Sequence, residues 1–275
     1  MLRRAGLGLL VGAILVVPSV ASAAPALVFE PYNGTVLYAE DPDAPWFPAS
    51  LTKLMTAYVT FQALKAGTVT PDTKITCSQA AARQAPSKLG LPIGGSLTLD
   101  VALKVLIVKS ANDVAVMIAE AVAGSQDAFI ARMNESAQRL AMTRTHFTNV
   151  NGLPDERQVT TARDLAKLAR ALIIEFPEHV DLFSSIQVQV GKKTMRTHNS
   201  LLVTFPGADG MKTGFICEWR ARLVTAASSS RSFSASRQSH RATTAPATSS
   251  RRASAATSGN RCSARGSMGS RSKPR

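Results

Sequence analysis

The sequence predicts an α+β fold on three observations. Two short strand-like runs flank an Asn-Gly pair near the start, a series of helical stretches fills the middle, and strand-like runs return late in the chain. Residues 26–30 and 35–39 surround Asn33-Gly34, a hairpin signal because both residues tolerate positive φ. Residues 51–65 then carry Leu54, Met55, Tyr58, Val59, Phe61 and Leu64 on nearly every face, which describes a buried central helix. Residues 99–108 and 112–122 are two further helical stretches separated by Lys109-Ser110-Ala111, and Gly124 ends the second. Residues 126–142 and 162–174 are amphipathic, the latter opened by a Thr161/Asp164 capping box. Residues 186–190 and 210–216 again read as strands, and the expected sheet is a single antiparallel one in which the N-terminal hairpin joins these late strands.

The ends of the chain read differently from its middle. Arg3 and Arg4, the apolar run 5–17, Pro18 and the small-residue site Ala21-Ser22-Ala23 make residues 1–23 a signal peptide. A spanning helix needs about 20 apolar residues, so an uncleaved anchor is the weaker alternative. No later segment reads as a transmembrane helix or an amphipathic anchor. The net charge of +14 belongs to the C-terminal fifth: residues 218–275 hold 12 Lys and Arg against the single acid Glu218, leaving +3 for residues 1–217. Residues 24–217 are therefore the expected domain, and 218–275 a low-complexity basic tail. From residue 225 onward there is no Leu, Ile or Val to offset a backbone ordering cost of about 1–2 kcal/mol per residue, so disorder is expected there. A polybasic tail that binds anionic lipid or nucleic acid is one reading, and a tail without a role is the other. With aromatics at 5%, no nucleic-acid partner is expected. Three cysteines, Cys77, Cys217 and Cys262, form no disulfide framework; a Cys77–Cys217 bridge and free buried thiols both remain open. The four histidines lack paired metal-ligand spacing.

Three short motifs carry chemistry. Ser50-Leu51-Thr52-Lys53 puts a hydroxyl and an amine three residues apart, on one face of the central helix. A serine becomes nucleophilic when a base takes its proton, and a desolvated lysine near another cation can be that base. The helix N-terminus adds N–H groups and a favourable dipole for a developing oxyanion. Ser110-Ala111-Asn112 offers a hydroxyl and an amide between two apolar helices, although Ser110 with Asp113 also fits a capping box. Lys212-Thr213-Gly214 supplies a cation for a carboxylate, with Gly214 leaving room for close backbone approach. Each motif alone is weak, and the tail repeats two of them by chance at residues 258–260 and 270–273.

Their joint order and spacing decide the matter. Ser-x-x-Lys at 50, Ser-x-Asn at 110 and Lys-Thr-Gly at 212 form the signature of penicillin-binding proteins and class A β-lactamases. With the strings PASLTKLMTAYV, LIVKSANDVAV, NGLPDERQVTTARDLAKLARAL, HNSLL and GADGMKTGF, the chain resembles the exported D-alanyl-D-alanine carboxypeptidases, the low-molecular-mass penicillin-binding proteins of bacterial cell walls, over about residues 26–217. The resemblance implies a penicillin-binding/serine β-lactamase-like transpeptidase fold, an antiparallel sheet with a helical cluster. It implies an acyl-enzyme on Ser50 that releases the terminal D-alanine of a peptidoglycan stem peptide. Lys53 would be the proton acceptor, Ser110 the relay to the leaving amine and Asn112 the anchor for the substrate amide. Lys212 and Thr213 would hold the terminal carboxylate beside Gly214, with the N–H groups of Ser50 and Phe215 as the oxyanion hole. No metal or organic cofactor is required, β-lactams should acylate Ser50, and the chain would work in the periplasm or on the outer face of the cytoplasmic membrane. A β-lactamase is the rival within this fold, but its Glu-x-x-Leu-Asn string for the deacylating water is missing.

The resemblance stops after Cys217. Two further strands and a closing helix follow the Lys-Thr-Gly strand in the family, whereas here the texture turns to Ser, Arg, Ala and Thr, as a reading-frame change in GC-rich coding sequence would produce. The domain is therefore expected to be truncated, and a catalytically impaired remnant is the second functional expectation.

Overall fold

A computed structural model describes residues 24–214, and a helix that is buried on all sides organises it. This helix, α1 (Thr52–Lys65), has no polar stripe, and Leu54, Met55, Ala57, Tyr58, Val59 and Phe61 are all inside the core. A helix with apolar residues on nearly every face must be wrapped by other elements, and α3 (Leu99–Val108), α4 (Asn112–Ala123), α5 (Gln126–Arg139) and α6 (Ala162–Glu175) do so. The polar residues of α1 that point inward bond locally. Thr56 Oγ1 donates to Val150 O at 2.6 Å and Thr60 Oγ1 to Thr56 O at 2.7 Å, so neither hydroxyl is left unsatisfied in the core. At the far end of α1, Phe61 stacks on His179 at 4.2 Å and meets Phe176, the residue between α6 and the 3-10 helix Pro177–Ser184, and Phe183 within that 3-10 helix.

Strands β1 (Ala26–Phe29) and β2 (Val36–Glu40) form the expected N-terminal hairpin, with Leu27 opposite Ala39. Its turn is wider than a two-residue loop. Gly34 alone takes the left-handed conformation at φ +78, while the Glu30 carboxylate accepts from the Tyr32 and Asn33 amides at 3.1 and 2.7 Å. Next come β3 (Lys74–Thr76), the short helix α2 (Gln79–Ala82) and β4 (Ser96–Thr98), and later β5 (Gln187–Val190), β6 (Lys193–Arg196) and α7 (Leu201–Thr204).

The helical cluster and the mixed class agree with the sequence, but the expected single sheet is replaced, among the described residues, by three separate two-stranded ladders: β1–β2, β3–β4 and β5–β6. Residues 210–214 form no ladder either, and 215–216 lie outside the described residues. A strand is defined by the neighbour it hydrogen-bonds, and sequence alternation cannot supply the neighbour. The pair β3–β4 was missed because three-residue strands are too short to show alternation. Residues 1–23 and 218–275, and with them the expected signal peptide and basic tail, lie outside the described residues.

Caps refine three helix ends. Gly124, at φ +81, ends α4 as expected. Helix α5 stops three residues earlier than its apolar pattern suggests. Ala141 turns left-handed at φ +53, its amide bonds Gln138 O, and the Met142 amide bonds Ala137 O, a Schellman closure that returns Met142 to the core. At α6 the Thr161 hydroxyl accepts the Asp164 amide at 3.1 Å, but the Asp164 carboxylate completes no box. It bonds the Arg144 amide, Thr145 Oγ1 and Lys167 instead, tying the helix to the preceding loop.

Candidate active site

The turn that presents Ser50 is strained and buttressed. Ser50 lies in the 3-10 turn Ala49–Leu51 that runs into α1, and Ala49 is held at φ +46, an uncommon state for a residue with a side chain. Two glycines make room for it. A Cβ on Gly152, itself at φ +85, would lie 1.8 Å from Ala49 O, and one on Gly214 would lie 3.3 Å from both Leu51 Cγ and Pro48 O. Close backbone approach, anticipated at Gly214, is therefore tighter still at Gly152.

One turn into the helix, Lys53 is fully buried. Its Nζ donates to Ser50 Oγ at 3.1 Å, Asn112 Oδ1 at 2.8 Å and Asn151 O at 2.5 Å. These acceptors hold the amine against the hydroxyl. Burial pushes the Lys53 pKa well below the ordinary lysine value, the Lys212 charge pushes the same way, and Asp113 opposes both. A lysine of this kind has the chemistry to accept a proton from a neighbouring hydroxyl.

Ser110 precedes α4 in the left-handed region, at φ +57. The capping box with Asp113 does not form. The N-cap of α4 is Ala111, and the Asp113 carboxylate accepts the amides of Leu89, Gly90 and Val114 at 2.8–3.0 Å. The Ser110 hydroxyl is turned instead to Lys212 Nζ at 2.9 Å. Asn112 is fixed at both ends of its amide, with Nδ2 donating to Ala85 O and Pro86 O at 2.9 and 3.2 Å and Oδ1 accepting Lys53. Lys212 is 2% exposed and also donates to Thr213 O at 2.8 Å; burial lowers its pKa to about 7.

Ser50, Ser110, Asn112, Thr213 and Gly214 line one cleft of about 340 Å³, together with Pro86, Ser87, Gly152, Leu153 and Pro154, and the Lys53 and Lys212 amines bond two of its hydroxyls from behind. His198 also lines it, and its pKa is lowered by burial and then by the charges of Lys109 and Lys212. Of the residues singled out in the sequence, Ser50, Lys53, Ser110, Asn112, Lys212, Thr213 and Gly214 converge here, and Phe215 lies outside the described residues. Asn151, Gly152, Ser87 and His198 were not singled out. Asn151, Gly152 and His198 stand within the strings that carry the family resemblance, but none of them has a motif of its own. Cys77 is a buried thiol directed at the carbonyls of Leu91 and Ser78, and its possible partner Cys217 lies outside the described residues.

The arrangement pairs a hydroxyl with a desolvated amine and sets a second hydroxyl against a second buried amine across a cleft. It suits attack on a carbonyl whose substrate carries an anionic group. Comparison with known proteins gives a consistent picture. The family model described as D-alanyl-D-alanine carboxypeptidase matches residues 15–235. The D-alanyl-D-alanine carboxypeptidase DacF of Bacillus subtilis is 32% identical over 208 residues, covering 74% of this chain and 53% of that protein. Penicillin binding protein 5 from Haemophilus influenzae superposes with a TM-score of 0.71 at 32% identity, covering 78% of this chain and 64% of that one. Penicillin-Binding Protein D2 from Listeria monocytogenes, in its ampicillin-bound form, gives a TM-score of 0.63 at 30% identity, over 71% of this chain and 80% of that one. The chain spans about half the length of the curated relatives that it matches.

Proposed function

Because the chain belongs to the D-alanyl-D-alanine carboxypeptidase family, we propose that it removes the terminal D-alanine from peptidoglycan stem peptides through an acyl-enzyme on Ser50. The observation that carries the reading is the buried Lys53 amine 3.1 Å from the Ser50 hydroxyl. In the first step Lys53 takes the Ser50 proton as Oγ bonds to the carbonyl carbon of the D-Ala-D-Ala peptide bond. The tetrahedral intermediate collapses by breaking the C–N bond, and the leaving amine receives, through Ser110, which Lys212 orients, the proton that Lys53 took. Water then attacks the ester, returns the proton to Ser50 and releases the shortened peptide. Asn112 positions the substrate amide, and Lys212 with Thr213 holds the terminal carboxylate beside Gly214. The Ser50 and Phe215 N–H groups serve as the oxyanion hole.

β-Lactams acylate the same serine in this reading, since they present the same reactive carbonyl and carboxylate. Ampicillin bound to the Listeria protein supports this by likeness. Residues 1–23 act as an export signal and residues 24–217 form the working domain outside the cytoplasmic membrane. The basic, small-residue composition of residues 218–275 supports treating them as a tail. Among the described residues no single helix is long and apolar enough to cross a membrane.

The test is covalent labelling of the purified full chain with a fluorescent penicillin, followed by release of D-alanine from a stem pentapeptide. Labelling that disappears in Ser50→Ala is expected. Folded protein that takes up no penicillin, or a label that survives Ser50→Ala, overturns the assignment.

A further inference from the structure

The two walls of the cleft come from separate loops, and a hydrogen bond ties them together. Pro86 and Ser87 line the cleft from the loop 83–90 that leaves α2, and Gly152, Leu153 and Pro154 line it from the loop 149–154. Asn151 Nδ2 donates to Gln84 Oε1 at 2.8 Å. Both amides are also held at their other ends, because Gln84 Nε2 donates to Ala80 O at 3.2 Å and Asn151 Oδ1 accepts the Leu153 amide at 3.1 Å. Asn151 is 3% exposed and Gln84 is half-buried, so the Asn151 end of the bond is shielded from water.

Each wall also feeds the amine of Lys53. The second loop gives Lys53 the Asn151 carbonyl at 2.5 Å. The first loop gives the carbonyls of Ala85 and Pro86 to Asn112 Nδ2, which turns Asn112 Oδ1 toward Lys53. Two of the three Lys53 acceptors thus depend on loops that share one side-chain bond. We infer that the Gln84–Asn151 hydrogen bond is a clamp that sets the position of Lys53 for proton transfer, making Gln84 and Asn151 positioning residues for acylation. The inference rests on the Ser50 acyl-enzyme reading.

Gln84→Met keeps the bulk and removes the acceptor. Asn151→Ala removes the side chain and keeps the backbone carbonyl. In the full chain, each single variant is expected to slow penicillin acylation about tenfold, the equivalent of one net hydrogen bond. The slowing should fall on the acylation rate at saturation rather than on the penicillin concentration needed for half-saturation. The double variant should be no slower than the slower single, since both remove the same bond. The acid limb of the pH–rate profile should move to higher pH, because a loosened wall admits water and relieves the burial that depresses Lys53. Hydrogen exchange provides a readout that does not need activity: amides in both 83–90 and 149–154 should exchange faster in either variant while α1 and α4 stay protected. Acylation at the wild-type rate, losses that add in the double variant, or unchanged exchange in either loop overturns the clamp. If the wild-type chain takes up no penicillin, the Ser50 reading fails, and the exchange comparison still decides the clamp by the same two outcomes.

Discussion

Lys53 Nζ lies 3.1 Å from Ser50 Oγ with no part of the lysine exposed to solvent, a combination that fits the pair for proton transfer. Its pKa is held below the lysine range chiefly by burial. Acylation by penicillin should therefore rise with pH through the depressed Lys53 pKa and saturate below the ordinary lysine range. Lys53→Arg keeps a cation that cannot give up its proton, and is expected to slow acylation by about 100-fold or more. Stopped-flow labelling from pH 5 to 9 checks both statements.

Asp113 acts on the same group from below. Its carboxylate accepts three backbone amides and raises the Lys53 pKa, against burial and Lys212. Asp113→Asn removes the charge, so the acid limb of acylation should move to lower pH. Asp113→Ala also leaves buried amides unpaired and should lower stability by about 1–3 kcal/mol or more. Urea unfolding of the variants beside the pH–rate profile separates the two effects.

Lys212 makes a prediction about stability. Its folded pKa of about 7 lies below the ordinary lysine value of 10.5. Between those values the unfolded chain binds more protons, so stability should rise as pH increases from about 7 toward 10.5. Below pH 7 the lysine is charged in both states and the burial penalty is fully present. Lys212→Met should accordingly be more stable than wild type at pH 6–7, by about 1–4 kcal/mol, and lose this advantage at alkaline pH. Denaturation at pH 6.5 and 9.5 tests the sign.

The same group predicts proton uptake on substrate binding. A carboxylate placed against Lys212 raises its pKa above about 7. Titration of a Ser50→Ala chain with an N-acyl-D-Ala-D-Ala peptide at pH 7.5, in buffers of different ionisation enthalpy, should show protons taken up. Affinity should weaken as pH rises further. Proton release would contradict the placement of the carboxylate.

Gly152 tests the strained turn. An alanine there would put its Cβ 1.8 Å from Ala49 O, in a backbone conformation disfavoured for side chains. Gly152→Ala should cost about 1–3 kcal/mol in stability and, by shifting Ser50, about 100-fold in acylation. Gly34→Ala, in the open hairpin turn with nothing within 4 Å, is the control: its cost should be confined to stability.

The helices were legible because apolar periodicity persists over 10–14 residues in α3, α4, α5 and α6, and because α1 is a 14-residue stretch with apolar residues on nearly every face. The strands were less so: β3 and β4 are three residues each, and their order in sheets depends on neighbours distant in sequence. Within the site, residue types with evident chemistry stood out, as Ser50, Lys53 and Lys212 did. Asn151 did not, because it serves Lys53 through a backbone carbonyl, and every residue type has one. Gly152 was hidden for a related reason: the contact that requires glycine is with Ala49, about a hundred residues earlier in the chain.

By itself the sequence determined that a hydroxyl and an amine share one face where the chain enters an apolar helix, since a helical turn, 3-10 or α, brings i and i+3 together wherever it forms. It also determined that the +14 charge lies mostly outside the catalytic region. Only the tertiary structure decided what that pair can do. The low pKa of Lys53 comes from enclosure by elements spread over the chain, from Asn112 to Asn151 to Lys212, and the turn of Ser110 toward Lys212 spans 102 residues. Periodicity is a property of neighbours along the chain, whereas desolvation and charge proximity are properties of neighbours in space, and folding alone makes those.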